Sequence, residues 1–219
     1  LVNNIGIMAC PFEFSKDGIE SQFATNHFAP VVFTNMLIPL IVKSQPSRIV
    51  NLSSMAHLQA PDDGFISDPV ALNDKERYDP WKRYGETKLA NIWYTAILQE
   101  RLDQMGAKQV YVNAVHPGIV KTELTRNMAE RPTGAVTNWI IGKAMIDAKA
   151  GALTQIYAAA ASQVETQGIK GKYFVPYCTV ASPNKNGCDM VKAKKLWDWT
   201  EAVLKEKFRN NWSYKEAGL

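Results

Sequence analysis

The sequence predicts an α/β fold: a doubly wound, mostly parallel sheet with helices packed on it. Three observations carry that prediction. Short β-branched runs alternate along the chain with long helical stretches, the pattern of strand–helix–strand units. The candidate polar residues fall just past the strands, where open α/β sheets bind their ligands: Asn3 and Asn4 after the first, Ser54 after the second, Pro117 to Thr122 after the third. At 219 residues, 46% hydrophobic and 21% charged, the chain has the size and composition of one soluble domain with a sizeable core.

Taken in order, Leu1 to Asn4 reads as the end of a buried strand, with Gly6 as the turn after it. Residues 18–43 repeat apolar side chains at helical spacing (Ile19, Phe23, Phe33, Met36, Leu37, Leu40), and Pro30 predicts a kink or break just before it. Ser47 to Ser54 is a β-branched run closed by two serines, a central strand. Residues 57–79 read as a long polar connection, of the length that is usually functional. Asp79-Pro80 then gives an N-cap and a first-turn proline, opening a helix that buries Leu89, Ile92, Trp93 and Ala96 and stops at Gly106. Gln109 to Val115 is a third strand, ended by His116-Pro117-Gly118. Residues 119–146 show no clear period. An alanine-rich helix over Asp147–Ser162, a final strand over Gly171–Pro176 and an amphipathic helix over 190–208 complete the chain, without repeats or low-complexity segments.

Composition excludes several function classes. A net charge of +4, with acids and bases interspersed, gives no footprint for nucleic acid or an anionic membrane. Cys10, Cys178 and Cys188 fit neither a disulfide framework nor a zinc site, so a reduced, cytoplasmic setting is the default. His27, His57 and His116 lack metal-ligand spacing, so no metal is expected, and each reads as a core or loop histidine. Pro30 to Val42, the most apolar run, is too short to span a bilayer, and no signal sequence is evident at Leu1-Val2-Asn3-Asn4. The basic stretch Lys192 to Lys195 reads as a solvated helix face rather than a membrane-surface one, and Trp197, Trp199 and Trp212 as core or interface anchors.

The chemistry concentrates in Tyr84-Gly85-Glu86-Thr87-Lys88. A tyrosine and a lysine four apart share one helix face. An ammonium beside a phenol favours the phenolate and lowers its pKa from about 10, which suits general acid–base work near neutrality.

These motifs, in this order, resemble the short-chain dehydrogenase/reductase family, nearest its retinol-dehydrogenase-like and WW-domain-oxidoreductase-like branch. Asn3-Asn4-Ile5-Gly6 stands where the family has Asn-Asn-Ala-Gly, and Asn26 follows in a Thr-Asn-His context. Arg48 to Ser54 matches the strand ending in the catalytic serine. Tyr84-x-x-x-Lys88 with Ala90-Asn91, and then His116-Pro117-Gly118-Ile119-Val120-Lys121-Thr122, complete the set. The resemblance covers essentially the whole chain and implies a Rossmann-type, three-layer NAD(P)-binding domain over 1–219, with catalytic residues in 26–88 and a substrate-covering segment at about 119–146.

The resemblance also implies roles. Tyr84 would exchange a proton with a carbonyl oxygen while hydride passes to or from NADP (or NAD). Lys88 would depress the Tyr84 pKa and bond the nicotinamide ribose, Ser54 would hold the carbonyl oxygen, and Ser53 would be structural. Asn26 would anchor a water that re-supplies protons through Lys88. Asn3 and Gly6 would line the adenosine side of the cofactor channel. Pro117, Gly118 and the Val120 backbone would hold the carboxamide, with Thr122 near the pyrophosphate. The substrate would be a small or medium apolar carbonyl or alcohol, and a homodimer through the two long helices is implied.

Three departures from the family pattern stand out. Ile5 replaces a small alanine, which predicts altered packing against the neighbouring strand. Pro30 lies one turn beyond Asn26 and is expected to shift the helix that presents it. The family's Thr-Gly-x-x-x-Gly-x-Gly phosphate loop is absent from the sequence. The chain is therefore expected to be the C-terminal portion of such a domain, with Leu1-Val2 on an open strand edge and poor cofactor affinity by itself. The alternative readings are a truncated or non-catalytic protein of this fold with a binding or regulatory role, and an epimerase or dehydratase. The Pro117-Gly118 to Thr122 segment disfavours the latter.

Overall fold

In the computed structural model, which describes residues 1–61, 69–121 and 145–208, the period-2 burial of the strands divides the core in two. β1 (Val2–Asn3), β2 (Ser47–Leu52), β3 (Val110–Val115) and β4 (Tyr173–Val175) run parallel, and β5 (Thr179–Ala181) lies antiparallel beside β4. The spatial order is β1-β2-β3-β4-β5. β2 and β3 pair from Ser47↔Val110 to Leu52↔Val115. Ile49, Val110 and Val112 join the larger cluster with Leu89, Trp93 and Leu196. Val50, Leu52, Val115 and Phe174 join the smaller one with Ala158. Helices therefore cover both faces of the sheet, as the sequence predicts. β1 lies at one edge of the described sheet, with Val2 42% exposed.

β5 is a correction to the reading of one final strand over 171–176. The hairpin turns through Pro176, Tyr177 and Cys178, the last at φ +59°, without the glycine or asparagine that marks such turns.

The first long helical run is α1 (Ser21–Phe23), a π-helical turn (Ala24–Phe28) and α2 (Ala29–Lys43). Glu20 caps it, accepting hydrogen bonds from the backbone N–H groups of Gln22 and Phe23. The break expected before Pro30 takes the form of this π-turn, because Pro30 has no N–H to offer the carbonyl of Asn26 one turn earlier. The run from Ser21 to Lys43 is 23 residues, long enough to cross a bilayer, which the span Pro30–Val42 alone does not suggest. It is half-buried in the fold and carries buried Asn26, His27, Thr34 and Asn35, the pattern of a core helix.

Ser54 opens a 3₁₀ turn (Met55–Gln59), and α3 (Pro69–Leu72) interrupts what reads in sequence as one irregular connection; residues 62–68 of that connection lie outside the described ones. α4 (Pro80–Gln104) starts as predicted, with the Asp79 carboxylate accepting from the N–H groups of Trp81 and Lys82. It stops at Gly106 (φ +85°), where the bonds Ala107 N to Leu102 O and Gly106 N to Asp103 O form a Schellman cap. Every residue from Arg83 to Thr95 is buried.

The other elements are α5 (Ala148–Ala160), α6 (Ser162–Thr166) and α7 (Met190–Phe208). α7 packs along α4, with Trp197 stacked on Tyr94 at 5.7 Å and the Arg101 guanidinium 4.6 Å from the Trp197 ring. Trp197 and Trp199 are thus core anchors, while Lys194 and Lys195 face outward; Trp212 lies outside the described residues.

A buried ion cluster pins the flanking loops to α4. Arg83 pairs with Glu86 at 3.0 Å and with Glu20 at 3.7 Å, and its Nη1 donates to Leu72 O. Burial pushes Glu86 up to about 7 from an ordinary 4.5. Folded protein then keeps a proton that the unfolded chain releases, so the Glu86 contribution is full below pH 4.5 and is lost as pH rises through 7. Between pH 5 and 7.5 the urea midpoint of the wild type is expected to fall relative to Glu86→Gln, since the buried histidines cancel in that difference. A pH-independent difference would remove Glu86 from the account.

Candidate active site

The parallel register brings the ends of β1, β2 and β3 to one edge, and a cleft of about 690 Å³ opens there. Ser54, the second residue past β2, holds extended backbone (φ −158°, ψ 157°), and its Oγ accepts from the N–H of Ala56 at 3.1 Å. Tyr84 and Lys88 reach the same cleft from α4. The Tyr84 phenol and the Ser54 hydroxyl line it together, and the Lys88 Nζ lies 5.4 Å from the Tyr84 ring centre. Serine, phenol and amine are therefore gathered in one place. Ser53, one residue earlier, is buried, and its Oγ donates to Lys88 O at 2.7 Å.

Burial reverses one expectation. The spacing of Tyr84 and Lys88 predicts a lowered phenol pKa, whereas Tyr84, 5% exposed, is pushed up to about 12 by desolvation, offset in part by the neighbouring Ser54 hydroxyl. Lys88, 3% exposed, is pushed down to about 8 by the same cause. Its amine donates to Leu52 O at 3.2 Å, and that is its one bond among the described residues. The environment that sets these values comes from segments remote in sequence.

Asn26 is fully buried beneath the cleft. Its Oδ1 accepts from Ile7 N at 2.8 Å, and its Nδ2 donates to Ile7 O and to Thr87 Oγ1. Its carbonyl, which Pro30 deprives of the i+4 helical donor, accepts from Asn91 Nδ2 at 3.0 Å. Asn26 thus ties the segment after β1 to α4, and most of its polar capacity is used within the protein.

Asn3 does not enter the cleft. Its Nδ2 donates to Thr34 Oγ1 and Asn51 Oδ1, in a buried chain that continues from Asn51 to Thr95. Asn4 lines the cleft instead, with Gly6. Pro117, Gly118 and Val120 line it as predicted, and Val120 bridges Ile146, which draws together the ends of the segment 119–146. Thr122 and residues 122–144 lie outside the described residues. Ile5 is 54% exposed on the cleft rim, so its bulk stands free of the neighbouring strand.

Sequence reasoning missed other wall residues: Met8, Met55, Leu58 and Trp81 give one side an apolar lining, and His116 stands at the base. It also missed Gly85. A Cβ there would lie 2.6 Å from Ala56 O, so α4 and the turn after Ser54 meet backbone to backbone. His27 is the satisfied core histidine expected, with both ring nitrogens bonded. His57 bonds Ser54 O through Nδ1, while its buried Nε2 has no partner.

The class is that of α/β proteins with an open, mostly parallel sheet and a cleft at its strand ends. Residues 1–65 match the short chain dehydrogenase family. The chain is 37% identical over 214 residues to short-chain dehydrogenase TIC 32 B, chloroplastic, of Brassica napus, covering 91% of this chain and 62% of that protein. It is 36% identical over 208 residues to human retinol dehydrogenase 14, covering 93% and 58%. Among solved structures, an uncharacterised protein from Mycobacterium paratuberculosis superposes with a TM-score of 0.64 at 28% identity, covering 94% of this chain and 66% of that one. The chain belongs to the short-chain dehydrogenase/reductase family, in its retinol-dehydrogenase-like branch. It spans about 60% of the length of the curated relatives it matches. The cytoplasmic expectation gains no support from these relatives, one of which is chloroplastic by name.

Proposed function

We propose that this chain carries the proton-handling and nicotinamide-facing part of an NAD(P)-dependent oxidoreductase, one that interconverts a carbonyl and an alcohol on a small or medium apolar molecule. The observation that carries the reading is the convergence of Ser54, Tyr84 and the buried Lys88 amine on one cleft, with the amine 5.4 Å from the Tyr84 ring centre. Ser54 and Tyr84 hold the carbonyl oxygen between two hydroxyls. Tyr84, kept protonated by its burial, then donates its proton to that oxygen. When bound, the nicotinamide supplies or accepts the hydride.

The residues present fit that group. Lys88 has donors to spare on a buried amine facing the cleft, suited to ribose hydroxyls. The cleft floor at Gly6 is free of side chain, and a Cβ there would stand 3.4 Å from the amine and 3.5 Å from Asn26 Oδ1. Pro117, Gly118 and Val120 face it across the cleft and would hold the carboxamide. Asn26 keeps the segment after β1 in place beside Lys88. The apolar wall of Met8, Met55, Leu58 and Trp81 favours an apolar substrate. A homodimer through the two long helices would have to form around α7, which already packs on α4.

A panel of apolar aldehydes and ketones with NADPH and NADH, run on the full-length protein, tests the reading. Reduction is expected, and its rate is expected to fall as pH rises through about 8, where the Lys88 amine loses its charge. No turnover with any member would favour a non-catalytic binding role.

A further inference from the structure

Asn91, one helical turn beyond Lys88, is 4% exposed and spends all its polar capacity on neighbours. Its Nδ2 donates to Leu52 O and to Asn26 O, each at 3.0 Å. Both are carbonyls, so the amide nitrogen must face them and Oδ1 must face His27 Nδ1, 3.3 Å away. Nδ1 therefore carries the hydrogen, and Nε2 accepts from the Thr200 hydroxyl on α7 at 3.1 Å. Burial pushes His27 down to about 4, so the ring stays neutral and this tautomer persists.

The Leu52 carbonyl accepts from two donors, since the Lys88 amine binds it as well at 3.2 Å. It stands two residues before Ser54. The other end of the clamp, Asn26 O, has no i+4 helical donor because Pro30 lacks an N–H. β2, the π-turn and α4 thus meet on one amide.

We infer that Asn91 is a positioning residue for the Lys88 amine: it fixes the carbonyl that holds the amine, and it is itself oriented from the C-terminal helix through His27 and Thr200. The inference rests on the proposed role of Lys88, and it extends the site to α7.

The test reads the amine directly. In protein labelled with ¹³C at lysine Cε, the Lys88 resonance, assigned by its loss in Lys88→Arg, titrates with a midpoint near 8 in the wild type. Asn91→Leu keeps the volume and removes all three bonds. The loosened amine gains water, and its midpoint is expected to rise by about one unit. In the same variant kcat falls about tenfold while the cofactor KM stays within about threefold, because orientation rather than binding is lost.

His27→Phe suits the ring neighbours Phe23 and Phe28 and leaves Oδ1 without its donor, giving a smaller rise in the same direction. Thermal unfolding confirms that each variant is folded. An unmoved Lys88 midpoint in folded Asn91→Leu, or in His27→Phe where Asn91→Leu does not fold, overturns the inference. The titration needs neither cofactor nor substrate, so it stands apart from whether the protein reduces carbonyls.

Discussion

Replacing Tyr84 by phenylalanine is expected to cut carbonyl turnover by about a thousandfold, the range a positioned proton donor contributes, while NADPH affinity stays within about threefold. One oxygen is removed. The ring stays, still buried against α4 and the turn after Ser54, so the space Tyr84 fills is unchanged. Ser54 Oγ keeps its bond with Ala56 N, so stability is expected to change by no more than about 1 kcal/mol, at most a few degrees in Tm. What disappears is the proton. With its pKa pushed up to about 12, the phenol is protonated at neutral pH and stands with Ser54 on the cleft. Lys88 stands near the ring but is tied to Leu52 O, and under the proposed function its amine orients the cofactor rather than supplying that proton. Stopped-flow turnover and fluorescence titration of NADPH on the same preparations separate the two quantities. Equal turnover in the two proteins would end the acid–base assignment; a parallel loss of NADPH binding would move Tyr84 from chemistry to cofactor affinity.

What the sequence discloses about this fold is what its local chemistry punctuates. β2 and β3 are legible because β-branched runs end in small polar residues, and α4 because Asp79-Pro80 and Gly106 bracket it. Ser54, Tyr84 and Lys88 are legible because each is part of a short motif. Features that depend on which way a side chain turns are not. Asn3 and Asn4 are identical in type, so alternation cannot say which one faces the cleft, and it is Asn4. The β4–β5 hairpin hides behind a turn without turn residues. The rise of Tyr84 and fall of Lys88 depend on desolvation by segments tens of residues away, where pair spacing on one helix predicts the opposite sign for the phenol. Asn91 carries a signal that could have been read: an asparagine on the lysine's own face of a helix, followed by an apolar run, is a polar group that must find partners.

Gly85→Val is expected to do the most damage of any single change outside the reacting groups. The residue sits between Glu86 and Tyr84 on a helix, where glycine costs about 1 kcal/mol against alanine and needs a reason. The reason is the backbone of the turn that follows Ser54. A Cβ at Gly85 would lie 2.6 Å from Ala56 O, 3.2 Å from Ala60 N and 3.3 Å from the Gln59 Cβ. Two of those three atoms belong to the main chain, so no rotamer relieves the contact. The turn must retreat by roughly 0.8 Å to reach the 3.4 Å at which ordinary contact begins. It carries Ser54 at its N-terminus and holds it there through the Ser54 Oγ–Ala56 N bond, so the retreat pulls the serine from the Tyr84 hydroxyl. Overpacking of this kind costs about 2–3 kcal/mol, partly returned by better helix propensity. In a chain of this size that lowers Tm by roughly 5 °C. Misplacing one reacting group by an ångström costs about a hundredfold in kcat. Gly85→Ala, which brings the same Cβ without the branches, is expected to show both effects at smaller size. The two losses separate by temperature: assayed well below the lowered Tm, the valine variant is folded and still slow. A folded Gly85→Val protein with wild-type kcat would mean that the turn and α4 slide past each other freely, and that Ser54 is held by something other than this contact.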